Sequence, residues 1–367
     1  MRTQMLQLML AGGCLPTVKP LDIQNDTGRL PNGGTSPVQT EALVATIADD
    51  YSLGAVATIS LAHLSIDDTL SPTSGDAVIR ATDSHAVLLN RLNTDTVQVF
   101  SETLREPDTE IALPDLSNPQ DAVFCDDKLW VSLHNSDTMP IFDIENSLMV
   151  GSVNLEEWAG TDGHAEASTM VRQESSVFLA VQEIRQDDAW VSDGGTILQI
   201  DCQSTAVIGQ FEIGPSPVLK TGTEENLLGY KTGIYGDLDG EVGLFDVDGG
   251  ETHPLVRESS LGIDIHDFAF SQNHLVYSVA SEDWDFQLHC QNLTTGEIQS
   301  SPVTSSYLSD LSMDDQGRLW VSKRTGWSSG APEPSGLDVI DPSTCQSFLT
   351  GGTPLQLTLP PFNVAFR

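Results

Sequence analysis

The chain has 367 residues, with 16 Lys and Arg against 53 Asp and Glu, a formal net charge of −37. Such a field repels nucleic acid and anionic lipid, which excludes both as direct partners. A 39% hydrophobic content permits a real core and excludes wholesale disorder, and no apolar run reaches the length of a membrane-spanning helix.

The first residues read as an export remnant. Met1-Arg2 precedes a short apolar stretch, Met5 to Leu10, and then Ala11-Gly12-Gly13-Cys14. This resembles a bacterial lipoprotein signal, which implies lipidation of Cys14 and a place in the outer membrane, periplasm or cell surface. Pro, Gly, Asn and Thr dominate Pro16 to Pro37, as in a flexible tether. The expected organisation is therefore 1–14 signal remnant, 15–40 tether and 41–367 folded domain. With Cys14 set aside, Cys125, Cys202, Cys290 and Cys345 remain. Two disulfides are then possible, with three pairings open.

Beyond the tether the chain repeats itself. Apolar runs at Leu43–Ile47 and Ala55–Ser60 come first. Triplets of strand-like runs follow, opening at Asp76, Asp121, Glu166, Ser216, Asp267 and Asp310, and a last run surrounds Asn363. The successive steps are 45, 45, 50, 51, 43 and 53 residues. Each run is rich in β-branched and aromatic residues and bounded by Gly, Asp, Asn, Ser or Pro. Four-strand units of that period predict an all-β, seven-bladed β-propeller. The tail supplies an innermost strand without a blade, and the two early runs supply a blade without an innermost strand. Pairing them closes the ring. Extra strand within Leu61 to Thr73 would make eight blades, the alternative.

Asn118-Pro119-Gln120-Asp121, Asn90-Arg91 and Val97-Gln98-Val99 resemble YVTN-type repeat proteins. With Gly75 to Arg80 and Thr161 to Glu166 added, the pattern resembles bacterial surface lipoproteins with propeller domains. That resemblance implies a location and a fold but no reaction.

Asp76, Asp121, Glu166, Asp267, Asp310 and Asn363 open the innermost strands and are expected around one mouth of the central channel. Carboxylates so gathered repel unless a cation sits among them, which makes Ca²⁺ the candidate ligand; the opposing expectation is local turn hydrogen bonding. His164 and His266 lie within two residues of these acids. Asp237–Glu241 and Asp246–Gly249 read as hairpin turns, and Ser312–Trp320 as an Asp-box-like turn. Trp130 and Trp320 hold equivalent core positions, whereas Trp158, Trp190, Trp284 and Trp327 fall in loops able to meet a sugar or a partner. The sequence carries no Gly-x-Ser-x-Gly, His-Glu-x-x-His or phosphate loop. The expected function is a monomeric, lipid-anchored binding or scaffold module with a protein or polysaccharide partner; the alternative is a Ca²⁺-dependent, lactonase-like hydrolase at the channel mouth.

Overall fold

The computed structural model describes residues 38–367, except 83, 93, 102, 161, 186–190, 193, 225 and 327–332. The expected signal, Cys14 and most of the tether lie outside the described residues, as do Trp190 and Trp327. Seven sheets of consecutive antiparallel strands form a propeller. Blade 1 pairs Pro361–Phe366, innermost, with Glu41–Ile47 and then Gly54–Ser60. Blades 2 to 7 begin with the inner strands Ala77–Ala81, Pro119–Cys125, Ala167–Gln173, Val218–Thr221, Asp264–Phe270 and Tyr307–Met313. Each inner strand contacts the next around the ring, and Tyr307–Met313 returns to Pro361–Phe366. The short strands Ile66–Asp67 and Pro72–Thr73 both pair with Gly54–Ser60. The stretch that suggested an eighth blade is thus the outer edge of blade 1.

Alternation along each strand builds the core. Successive side chains point to opposite faces, and both faces of a blade are covered by neighbours. In blade 2, Ala77, Ile79, Ala86 and Leu88 pack toward blade 1, while Val78, Val87 and Leu89 pack toward blade 3. Every seam repeats this, so seven buried apolar clusters fill the seven junctions. Trp130 sits in the cluster between blades 3 and 4 and Trp320 in the one between blades 7 and 1, both essentially fully buried. The indole N–H of Trp320 donates to Asp314, which also accepts from Arg318 Nε at 2.7 Å, so the Asp-box-like turn is structural.

Both disulfides cross a seam. Cys125 and Cys202 join blades 3 and 4, and Cys290 and Cys345 join blades 6 and 7. Arg324 closes the ring in a different way. Its buried guanidinium donates to the carbonyls of Ile47 (2.8 Å), Ala48 (3.2 Å) and Pro360 (3.3 Å), fastening blade 7 to blade 1.

Strand direction gives the propeller two unlike faces. Connections between first and second, and third and fourth, strands emerge on one face. Second-to-third and inter-blade connections emerge on the other. The first, or turn, face carries short polar turns such as 126–127, 174–175 and 271–273. The loop face carries longer connections such as 155–166, 182–194 and 232–240. The described chain enters at the turn face, where Gln39 N–H donates to Asp315 at 2.9 Å.

Candidate functional site

A belt of side chains at one level of the inner strands ties each blade to the next. Asn363 Oδ1 accepts the N–H of Ile79 at 2.8 Å, and Asp121 Oδ2 that of Met170 at 2.8 Å. Thr169 Oγ1 accepts from Leu219 (2.6 Å), Asp267 Oδ2 from Leu311 (2.8 Å) and Asp310 Oδ2 from Val364 (3.0 Å). The corresponding residues of blades 2 and 5 are Val78 and Val218, which cannot accept. Two residues further along each of those strands stands a cation. Arg80 Nε donates to Asp121 at 2.5 Å and its Nη1 to Asn363 at 3.2 Å. Lys220 Nζ lies 2.8 Å from Asp267 Oδ1 and 3.8 Å from Asp310 Oδ1, and donates to the Leu311 carbonyl at 2.9 Å.

The six residues expected on one ring therefore divide between two levels. Asp121, Asp267, Asp310 and Asn363 belong to the belt. Asp76 and Glu166 precede their inner strands, nearer the loop face. Asp76 is held by Arg91, which also donates to Gln120 at 3.1 Å. Glu166 is fully buried, with a left-handed backbone (φ 43°). Thr169 and Val218, rather than Glu166 and Ser216, occupy the belt in blades 4 and 5. A register irregularity lies just ahead of the belt residue in blades 3, 4, 6 and 7, and in blade 4 the residue that follows it into the belt is Thr169. Thr169, Arg80 and Lys220 escaped the sequence reading.

Arg80 and Lys220 place positive charge among the belt acids. No group of three or more His, Cys, Asp or Glu side chains arranged for a metal occurs among the described residues. These acids act first as cross-blade hydrogen-bond acceptors. Burial raises the Asp310 carboxyl above the usual carboxylate range, opposed by Lys220 and reinforced by Asp267.

Toward the loop face the axis is rich in perturbed groups. The ring of Phe362 lies under two guanidinium groups, Arg91 at 5.8 Å and Arg324 at 5.5 Å. Burial pushes His266 down to about 4, against a partly compensating Asp267, and the ring meets Phe286 and Tyr307 edge-on. Burial pushes Tyr307 up to about 12 and lowers the Lys231 ammonium below its ordinary range. His164, the other histidine beside an acid, donates its backbone N–H to... Asp162 at 3.1 Å within the 155–166 connection.

Exposed apolar side chains divide sharply between the faces. Tyr51, Leu53, Leu92, Leu116 and Tyr235 all stand on loop-face connections. Leu148, Met149, Val150, Ile208 and Ile298 lie on outer strands. Among the described residues, Val38 at the chain entry is the sole large exposed apolar side chain of the turn face. Tyr235 and Trp284 stack with centroids 5.0 Å apart and planes 19° apart, joining the loops of blades 5 and 6. Trp158 lines a cavity beside blade 4. Asp246 accepts the backbone N–H groups of Asp248 and Gly249, the hairpin turn its sequence suggested.

No protein family and no curated protein matches the chain by sequence. Solved structures match by shape. A putative 6-phosphogluconolactonase from Bacteroides fragilis NCTC 9343 superposes with a TM-score of 0.62 at 11% identity, covering 91% of this chain and 99% of that one. A chain of the mitotic checkpoint complex gives 0.52 at 10% identity, covering 88% and 96%. An acylaminoacyl peptidase from Pyrococcus horikoshii gives 0.54 at 12% identity, covering 83% of this chain and 50% of that one. Likeness at these identities establishes the propeller fold.

Proposed function

We propose that the chain is an exported, lipid-anchored propeller of the YVTN type, a monomer that binds a protein or polysaccharide partner through its loop face. One observation carries this reading: two of the three exposed aromatic side chains among the described residues, Tyr51 and Tyr235, stand on the loop face, opposite the face where the chain enters, while Phe348 lies on the outer edge of blade 7. A tether attached at the entry would present that face away from the anchor. Two seam-crossing disulfides support an oxidising compartment. Aromatic platforms on loops held by a rigid scaffold suit recognition of sugars and proteins.

A photo-crosslinking residue placed at Tyr235 on intact cells, compared with one at Asp126 on the turn face, tests it. Adducts from position 235 alone are expected. Equal adducts from both positions, or none from either, would overturn the reading. Membrane fractionation of wild type and Cys14→Ser tests the anchor separately: only the wild type should sediment with membranes.

The alternative is the calcium-dependent, lactonase-like hydrolase, and likeness to the putative 6-phosphogluconolactonase favours it. Hydrolysis of 6-phosphogluconolactone that disappears with a chelator and returns with Ca²⁺ would establish it over the binding module.

A further inference from the structure

Lys231 stands apart from the other cations of the chain. Among the Lys and Arg side chains described, it alone donates no hydrogen bond and enters no ion pair. With 53 Asp and Glu against 16 Lys and Arg, an idle ammonium is the reverse of what abundance favours. Strand alternation sets its direction. Leu228 and Tyr230 pack into the cluster between blades 4 and 5, so Lys231, at the loop-face end of Leu227–Lys231, turns toward blade 6. Gly229 shares that side, where an added Cβ would stand 2.6 Å from the Phe270 ring of blade 6.

Glu258, Asp267 and Asp264 lie within electrostatic reach of the ammonium, yet none forms an ion pair with it. Two of them are fully engaged elsewhere. Glu258 accepts the N–H groups of Gly240 and Ile265, both at 2.7 Å, and Asp267 takes Lys220 and the Leu311 N–H. Asp264 is engaged on one side only. Its Oδ1 accepts the Gly236 N–H at 2.7 Å, and its Oδ2 accepts from no described residue. Gly236 belongs to the 232–240 connection, so this carboxylate also fastens the loop that carries Tyr235, which stacks on Trp284 of blade 6. Tyr235 is 50% exposed. One place on the loop face thus joins an open aromatic ring, an unused donor and an unused acceptor.

An anionic ligand would meet Asp264 and the field of a protein with net charge −37, and a cationic one would meet Lys231. A hydroxyl group suits both, because it accepts from an ammonium and donates to a carboxylate. The apolar face of a sugar ring packs against an aromatic side chain. We propose that the loop-face end of the seam between blades 5 and 6 binds a neutral sugar, with Lys231 and Asp264 bracketing its hydroxyl groups beside Tyr235. The inference rests on the loop face being the binding face, and it names the partner there as a neutral glycan.

Calorimetric titration of the purified protein with cellohexaose and with maltohexaose, against hexagalacturonate as the charged counterpart, tests it. Saturable binding of at least one neutral hexasaccharide is expected, with weaker or no binding of hexagalacturonate. Lys231→Met and Asp264→Asn should each weaken it about tenfold or more, and Tyr235→Ala several-fold. Asp264→Asn keeps an oxygen for the Gly236 N–H. Lys231→Met should melt no lower than the wild type, because an ammonium without a partner takes no bond with it. Binding of neither neutral sugar would overturn the proposal, as would tighter binding of hexagalacturonate. So would wild-type binding by Lys231→Met, or a lowered melting temperature of that variant, which would make the ammonium part of the scaffold. Failure here alongside crosslinking from Tyr235 refutes the sugar alone; sugar binding without those crosslinks on intact cells refutes the cell-surface reading alone.

Discussion

Lys220 of blade 5 holds its ammonium 2.8 Å from the Asp267 carboxylate of blade 6, across a seam between inner strands. Blade 5 lacks an acceptor at its belt position, so the ion pair does there what a side chain to backbone bond does elsewhere. Lys220 is also the nearest positive charge to buried Asp310, and blades 5, 6 and 7 are tied through one nitrogen.

Lys220→Met should destabilise the fold by about 3 kcal/mol, because it leaves partly buried carboxylates without their cation. Urea denaturation monitored by circular dichroism measures this. A loss below about 1 kcal/mol would mean that the ion pair is incidental.

Asp310 sets an acid-range dependence. Its folded carboxyl takes up a proton at higher pH than the unfolded one, near 4. The resulting contribution is fully present below that unfolded value and is lost as pH rises through the folded one. Asp310→Asn should flatten this part of the stability curve while keeping an oxygen for the Val364 N–H. Melting temperatures of both proteins from pH 3 upward test the sign; parallel curves would refute it.

His266 acts in the opposite direction. It ionises at about 4 when folded and near 6.5 when unfolded, so the unfolded state takes its proton first as pH falls. Stability should drop by up to about 3 kcal/mol between pH 6.5 and 4 from this group. His266→Phe should remove that part of the drop. Proton NMR of the imidazole, showing no titration above pH 5.5, is the direct check.

The disulfides constrain chain segments of 77 and 55 residues, each worth about 4 kcal/mol on a chain-entropy estimate. Cys125→Ser/Cys202→Ser should lower stability by about 2–5 kcal/mol. Thiol titration of unfolded, unreduced protein should find none of Cys125, Cys202, Cys290 and Cys345 free.

Arg324→Leu should cost about 3 kcal/mol, since it strips donors from buried carbonyls at the closing seam. Arg324→Lys should recover only part of this, because an ammonium cannot span Ile47, Ala48 and Pro360 together. Differential scanning calorimetry on the pair distinguishes lost charge from lost geometry.

The fold was legible because propeller strands are covered on both faces. Runs such as Ala86–Leu89 and Val177–Val181 are apolar throughout, and their recurrence betrays the blade. The belt was only half legible. Asp76-Ala77, Asp121-Ala122 and Glu166-Ala167 look alike as text, yet in blades 2 and 4 the belt falls further along the strand, at Val78 and Thr169. Arg80 and Lys220 read as polar strand ends, because nothing local reveals that an acid waits one blade away. The cysteine pairing needed the ring itself, since only neighbouring blades bring Cys125 to Cys202 and Cys290 to Cys345.

Glu41–Ile47 is flanked by a strand on either side, and the residues ahead of it leave from the end held by Gln39 and Asp315. A pull applied there runs along the strand, so both ladders resist in shear, with their hydrogen bonds loaded together rather than unzipped in turn. The seam where the circle is fastened is thereby also the part best suited to carry mechanical tension.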